Sequence, residues 1–316
     1  MVLAAVKMKT YISNRQLAGL ALLLTMAFWG SSFVVSKVAM QEVQPFTLAL
    51  LRFVVAVVAM LPFAWRERRR KTNSAGAPAP ILAVMGLTGV TLHFAFYNLG
   101  LANTTITNTA LIQGTIPAAT VVASAWVLKE QLDWLRASGV ALSMIGVAVI
   151  ISMGSGAGQG QSSLSGDLLV VGSVLAWVVY TLLGKRVATG QTGLLLTTYS
   201  NTYGALFLTP FAAFELLNGA PFTLSISVWV AIVYLGITCS ALGFFLWNFS
   251  LSHLSAGQAG AFMNLMPVVA VAAAIAFVGE PVTTLQVLGG ALVLSGVYLA
   301  NRTRTPLEIR RQDDQG

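Results

Sequence analysis

The sequence has few charged residues, a single cysteine and little that resembles a soluble protein. Charged side chains make up 9% of its 316 residues, whereas a soluble domain carries about 25%. Hydrophobic residues account for 56% of the chain, so water cannot be its main solvent. Cys239 is the only cysteine, which excludes a disulfide framework within the chain.

Apolar runs of membrane-spanning length recur along nearly the whole chain. A helix of about 20 residues crosses about 30 Å of hydrocarbon, and isolated strands cannot satisfy their backbone groups in lipid. The pattern therefore predicts an all-α integral membrane protein with ten transmembrane helices. The predicted spans are 17–39, 46–65, 80–100, 105–128, 134–152, 166–185, 192–216, 226–250, 256–278 and 282–301.

The positive charges indicate orientation. With the N-terminus placed inside, 16 of the 18 Lys and Arg residues fall in inside segments, and only Lys37 and Arg52 do not. This distribution follows the positive-inside rule. We therefore expect a multi-pass protein of a bacterial-type inner membrane with both termini in the cytoplasm. The net charge of +8 reflects this topology, and no nucleic-acid partner is expected. The pattern does not decide between a monomer and a homodimer.

The second half of the chain repeats the first. Trp29 and Lys37 recur 148 residues later as Trp177 and Lys185. Other pairs recur at 150 residues: Asn98 and Asn248, Pro117 and Pro267, Glu130 and Glu280, Gly139 and Gly289, Gly146 and Gly296. Five helices are an odd number, so the second copy must enter the membrane in the opposite sense. Such inverted repeats are typical of alternating-access transporters.

The repeat gives the domain boundaries. The first five-helix unit is predicted at 1–153 and the second at 167–301, with a Gly- and Ser-rich flexible linker at 154–166. Residues 302–316 are predicted to form a cytoplasmic tail. The glycine pairs are expected to mark close helix packing.

Several motifs in this order resemble one known family. They are Ala27-Phe-Trp-Gly-Ser-Ser-Phe-Val-Val-Ser-Lys37, Leu51-Arg52-Phe53, Pro117, Glu130 and Gly279-Glu280-Pro281. Over about residues 15–301 the sequence resembles the drug/metabolite transporter superfamily, in particular its ten-helix EamA-type branch. The resemblance implies two inverted five-helix repeats around a central cavity, and export of amino acids or other small metabolites.

Ionisable groups within spans are costly and are therefore functional candidates. Arg52 is a candidate anion clamp or outer-gate residue, with snorkelling to the interface as the alternative. Lys37 and Lys185 could act in gating, or could stabilise the helix ends that they occupy. His93 is the one span residue with an ordinary pKa near neutrality, and it suits either proton coupling or a bond between helices. Glu130 and Glu280 are expected to cap helix starts.

Polar and aromatic span residues are candidates for the substrate cavity, although each could instead link helices. The predicted substrate-binding residues are Trp29, Ser32, His93, Tyr97, Asn98, Gln113, Trp177, Tyr180, Phe244, Asn248 and Asn264. Pro117 and Pro267 are predicted to kink their helices and to free backbone carbonyls.

Missing motifs narrow the function. No Asp or Glu is predicted in the middle of a span, which disfavours a carboxylate proton relay. No metalloprotease, P-loop, metal-ligand or cofactor motif occurs, so an enzyme is not expected. The sequence predicts a secondary transporter, working outward by alternating access on small neutral or zwitterionic metabolites such as amino acids. An organic-phosphate or nucleotide-sugar antiporter is the alternative within transport, and a membrane receptor or structural protein is the alternative outside it.

Overall fold

The computed structural model describes residues 14–70, 77–128, 133–154, 163–187, 192–219, 223–254 and 262–300. These residues form ten helices, confirming the predicted fold class, and contain no strand. The helices are α1 (Asn14–Ala39), α2 (Pro45–Arg70), α3 (Ala79–Asn103), α4 (Ile106–Gln113 and Ile116–Leu128), α5 (Trp134–Gly154), α6 (Leu164–Val187), α7 (Gly193–Asn218), α8 (Ile226–Leu251), α9 (Leu265–Val278) and α10 (Thr284–Ala300).

The helix ends agree closely with the predicted spans, except at the end of α2 and at the start of α9, which begins at Leu265 rather than at residue 256, with residues 255–261 outside the described ranges. Helix α2 continues to Arg70 rather than ending at residue 65. The guanidinium of Arg69 lies 3.8 Å from the ring centroid of Trp65, and positive charge is favourable in the last turn of a helix. Hydropathy alone cannot predict the extension, because these residues are helical without being apolar.

The two halves pack against each other through matched pairs of helices. α1 contacts α8 and α9, and correspondingly α6 contacts α3 and α4. α2 packs on α7, and α5 packs on α10, so each of these pairs joins a helix to its own repeat partner. The arrangement is a pseudo-twofold one, as expected for two inverted repeats around a centre.

Irregular turns occur at matching places in both halves. A π-helical segment interrupts α3 at Leu87–Leu92 and α8 at Leu235–Leu242. Such segments reorient the side chains that follow them and are frequent at functional sites. They immediately precede His93 and Gly243, which are repeat partners.

The two predicted proline positions also match. α4 is interrupted at residues 114–115, just before Pro117, and Asn264 interrupts the helix just before α9, which contains Pro267. Proline cannot donate the backbone hydrogen bond that would continue the preceding turn. The result is a break at the first turn of the following helical segment, rather than a gentle kink within one helix.

Glycines allow α5 and α10 to pack with their backbones in close approach, as the sequence predicts. A Cβ atom on Gly139 would lie 2.4 Å from the nitrogen of Ala300, and one on Gly296 would lie 2.4 Å from the nitrogen of Ser143. Backbone atoms cannot move aside as a flexible side chain can. These helices therefore require glycine at the contact.

We expect Gly296→Ala to lower the melting temperature of the protein in detergent, because overpacking costs about 1–3 kcal/mol. Gly19→Ala is the matched control, since its Cβ would meet only the ring tip of Phe262, at 3.8 Å. Differential scanning fluorimetry of both variants checks this. An equal or higher melting temperature for Gly296→Ala would show that the helices can separate without cost.

Candidate functional site

A small cavity lies where the two halves meet. Its volume is about 50 Å³, and about 10–15 Å³ in this measure is enough for one water. It therefore has room for a few waters, and a larger solute requires some side chains to move. The lining residues are Trp29, Ser32, Phe33, Arg52, His93, Phe94, Tyr97, Gln113, Ile116, Trp177, Phe244, Met263 and Met266.

Much of the lining consists of repeat partners. Four pairs line the cavity together: Trp29 and Trp177, Phe94 and Phe244, Gln113 and Met263, Ile116 and Met266. The cavity therefore lies across the pseudo-twofold relation between the halves. It is not symmetric in chemistry, because the first half supplies the charged, imidazole and amide groups. The second half supplies mainly aromatic and thioether side chains.

Three rings from the two halves pack edge to face at the centre. The ring centroid of Trp177 lies 5.6 Å from that of Trp29 and 5.3 Å from that of Phe244. The indole nitrogen of Trp29 donates a hydrogen bond to the carbonyl of Cys239 across 3.0 Å. A Cβ on Gly243 would lie 2.7 Å from this nitrogen. Trp29 thus packs against the backbone at the position that is the repeat partner of His93.

Arg52 lies in the cavity wall and is only 2% exposed. Its Nε donates to the Ser240 hydroxyl across 2.9 Å, and its Cζ lies 4.5 Å from the ring centroid of Phe94. Its Nη1 is buried and has no hydrogen-bond partner. This position does not fit the alternative in which the side chain reaches the membrane interface.

His93 and Gln113 are both tied to Ser173 of α6. The Nδ1 of His93 lies 2.9 Å from the Ser173 carbonyl, and Gln113 Nε2 donates to the Ser173 hydroxyl across 2.8 Å. A carbonyl can only accept, so Nδ1 carries a proton and Nε2 of the neutral ring is the remaining acceptor. The ring of His93 also lies 4.9 Å from that of Trp177. These contacts fix two polar side chains in the wall.

The structure does not bring four of the predicted substrate residues to the cavity lining. Asn98 donates from Nδ2 to the carbonyl of Pro45 at 2.9 Å, and its repeat partner Asn248 donates to the Thr197 hydroxyl at 2.6 Å. Tyr180 packs behind the wall, 5.1 Å from Trp177. Asn264 lies at the start of α9. Asn98 thus links α3 to α2, and Asn248 links α8 to α7.

Sequence reasoning did not select several residues of the cavity. The missed lining residues are Phe33, Phe94, Ile116, Met263 and Met266, and the missed partners are Ser173 and Ser240. The 150-residue offset could have identified Phe94, as the partner of Phe244, and Met263, as the partner of Gln113. No comparable signal distinguishes Ser240 from the other serines.

A second group of polar contacts, the Lys37 cluster, lies at one end of the molecule. It consists of Lys37, Glu280 and the chain from Leu101 to Thr107. The Lys37 ammonium donates to the carbonyls of Leu101 and Thr104. Glu280 accepts from the amides of Ile106 and Thr107 at 2.9 and 2.8 Å. Lys37 thus stabilises the C-terminal end of α3, and Glu280 stabilises the N-terminal end of α4.

Glu280 does not cap α10, the helix start that it precedes in sequence. Gly279 ends α9 with a φ of 69°, a left-handed conformation that glycine adopts readily. The next residue then reaches the start of α4 in the other half. The predicted capping role therefore acts between the halves. Glu130 and the side chain of Lys185 lie outside the described residues.

Asp167 is a fully buried carboxylate beside the Lys37 cluster, in the first turn of α6. Its Oδ1 accepts from the Thr104 hydroxyl across 2.6 Å, and its carboxylate also accepts from the Asn108 amide. Asn108 Oδ1 in turn accepts from Gln286 of α10 across 2.8 Å. The acid stands at a helix end, as predicted, and it joins both halves there.

Two inverted five-helix repeats around a shared cavity define a membrane transporter. Comparison with known proteins agrees with this class. The model of the EamA-like transporter family matches the chain twice, at residues 16–152 and 164–302. The chain therefore belongs to the EamA-like transporter family.

The relatives are transporters by name. An uncharacterized transporter of Archaeoglobus fulgidus is 32% identical over 89% of this chain and 96% of its own length. A probable terminal-alkyne amino-acid exporter of Streptantibioticus cattleyicolor is 29% identical, over 89% and 92%. A probable amino-acid metabolite efflux pump of Escherichia coli is 26% identical, over 89% and 93%. A crystal structure at 19% identity shares the fold, with a TM-score of 0.66 over 95% of this chain and 99% of the other.

We expect Asn98→Ala to reduce stability rather than substrate affinity. The change removes the fully buried Asn98 side chain and its hydrogen bond to Pro45, which links α3 to α2, and the loss of one such bond costs about 0.5–1.5 kcal/mol. Ser32→Ala is the comparison, because Ser32 lines the cavity while its hydroxyl donates only to Trp29 of its own helix. Its melting temperature should stay near that of the wild type. Thermal melts in detergent check both, and a melting temperature for Asn98→Ala equal to the wild type would contradict this role.

Proposed function

We propose that the protein is a secondary transporter that exports small amino-acid-type metabolites by alternating access. The observation that carries this proposal is the cavity between the two halves, which combines a few polar side chains from the first half with apolar side chains from both halves. An amino acid with an apolar side chain offers the same two chemistries. Specific small-molecule sites combine apolar walls with a few placed polar groups in this way.

The conformation supports a gating scheme. The Lys37 cluster joins both halves at one end of the molecule. The distribution of positive charge favours placing this end outside, so the described conformation would be closed to the exterior. Inverted repeats can exchange conformations, which makes an outward-open counterpart close in energy.

The names of the relatives support the substrate class. One is a probable exporter of terminal-alkyne amino acids, and two others, of Salmonella typhimurium and Escherichia coli, are probable amino-acid metabolite efflux pumps. The outward direction in our proposal rests on the same names. The cavity itself favours neither direction, because alternating access is reversible and the solute gradient sets the net flux.

An organic-phosphate or nucleotide-sugar antiporter fits the cavity less well. Phosphate groups carry more than one negative charge and are commonly held by several Lys and Arg side chains. Among the described residues, Arg52 is the one Lys or Arg that lines the cavity. A single guanidinium suits a single negative charge better.

Flux through the purified protein tests the proposal. In proteoliposomes preloaded with unlabelled L-leucine, we expect saturable counterflow of external radiolabelled L-leucine, which protein-free liposomes do not show. A panel of other amino acids, purines and sugar phosphates then defines the range of substrates. Absence of saturable flux for the entire panel would contradict the transport proposal.

The rate at which a thiol reagent reaches the cavity tests whether the Lys37 cluster acts as a gate. Ser32→Cys in a Cys239→Ala background places one thiol in the cavity wall, where an impermeant thiol reagent added outside should react slowly. Adding Glu280→Gln removes the charge at the start of α4, and we expect the labelling rate to increase several-fold. Glu67→Gln, at the opposite end of α2 from this cluster, is the control. No increase with Glu280→Gln would show that the Lys37 cluster does not hold the outer end closed.

A further inference from the structure

Arg52 carries a buried charge that no carboxylate neutralises within the described residues. The titratable groups that face it are Tyr97, Cys239 and His93. Its hydrogen bond to Ser240 and its contact with Phe94 solvate part of the guanidinium, but neither supplies a negative charge. Burying an unpaired charge is costly unless an ion of opposite sign joins it. The cavity therefore favours an anionic ligand.

A second donor that lines the cavity, from the other half, also lacks an acceptor. The indole nitrogen of Trp177 is buried without a hydrogen-bond partner, as is Nη1 of Arg52. Indole can only donate, and a guanidinium can only donate. The Tyr97 hydroxyl, which also lines the cavity, is a third buried group without a partner. Three unsatisfied donors in one cavity match a group with at least two acceptor oxygens and one negative charge. A carboxylate has this composition, and its planar shape suits the donors of a guanidinium.

The second half gives the cavity an apolar lining. Phe244, Met263 and Met266 of the second half line the cavity, and thioether side chains adapt readily to apolar groups of different shape. A ligand held at Arg52 would therefore direct its hydrocarbon part towards these three residues. The cavity predicts a solute with an anionic head and an apolar tail.

The cavity has few groups that could bind the amino group of a ligand. Its described lining contains no Asp or Glu, so an ammonium would meet only neutral acceptors and aromatic faces. The hydroxyl of Ser32 already donates to the carbonyl of Trp29, and the amide nitrogen of Gln113 already donates to Ser173. An ammonium also places a second positive charge near Arg52. An α-amino group is thus a tolerated feature of the ligand rather than a required one.

We infer that Arg52, with Trp177, binds the carboxylate of the substrate, and that the protein accepts apolar monocarboxylates whether or not they carry an α-amino group. This inference rests on the proposed transport function and narrows its substrate class. It separates this site from one that recognises amino acids by both charged groups.

A matched set of ligands tests the inference on the wild-type protein. The set comprises L-leucine, 4-methylpentanoate, which lacks the amine, isopentylamine, which lacks the carboxylate, L-leucinamide, which keeps the amine but has a neutral amide in place of the carboxylate, and isopentyl phosphate. Binding is measured at pH 7.5 by thermal shift in detergent, because the neutral forms of weak acids and amines cross bilayers unaided. Inhibition of leucine counterflow by each compound is the second readout.

We expect leucine and 4-methylpentanoate to stabilise the protein at similar concentrations. Isopentylamine and leucinamide should bind at least tenfold more weakly, because a charge-assisted hydrogen bond contributes more than the energy of a tenfold change. Isopentyl phosphate should bind no better than the carboxylates.

Variants of Arg52 provide a second test of the inference. Arg52→Gln should weaken carboxylate binding at least tenfold, whereas the weak binding of leucinamide should not decrease, because its ammonium no longer meets a second positive charge. Arg52→Lys should recover part of the affinity, since it keeps the charge and loses the planar donor pair. Arg66→Gln removes the same charge from an exposed position of the same helix and should match the wild type. If Arg52→Gln does not fold, Arg52→Lys and the wild-type ligand set still decide the question.

The outcomes separate the two proposals. Equal binding of leucine and leucinamide, stronger binding of isopentyl phosphate, or unchanged affinity in Arg52→Gln would overturn the carboxylate inference while leaving transport intact. Binding of leucine without 4-methylpentanoate would overturn the claim that the amine is dispensable. If the protein neither binds nor transports any solute, the proposed function itself fails.

Discussion

The interaction on which the site depends is the burial of one guanidinium where the two halves meet. Water stabilises an arginine at a protein surface, whereas in a low-dielectric interior the charge costs several kcal/mol unless other groups compensate it. In this protein the Ser240 hydroxyl and the face of Phe94 compensate part of that cost. The remaining donor capacity points to a ligand. In the proposed alternating-access cycle, this charge would be exposed to water first on one side and then on the other.

The site lies between two repeats that pack as matched pairs of helices. Helices of one half pack against the corresponding helices of the other, and four pairs of repeat partners line the cavity. The helices of the two halves are arranged symmetrically, but the cavity side chains are not, since the charged, imidazole and amide side chains come from the first half.

The sequence predicts the framework well because hydropathy, charge placement and the repeat each depend on local composition. The spans, the repeat and the close glycine contacts of α5 and α10 follow from such patterns. The site is predicted less completely. Trp29, Ser32, Arg52, His93, Tyr97, Gln113, Trp177 and Phe244 do line the cavity. Asn98 and Asn248 instead link neighbouring helices, because periodicity cannot tell which face of a buried helix points to the centre. Ser240 and Ser173 become significant only through their contacts with residues far away in sequence.

A structure of the protein with a bound substrate tests the central claim most directly. The account predicts that cryo-electron microscopy in the presence of L-leucine will show the carboxylate within hydrogen-bond distance of Arg52 Nη1. The side chain should then lie towards Met263 and Met266. Density that places the carboxylate away from Arg52, or the ligand outside the cavity between the halves, would contradict it.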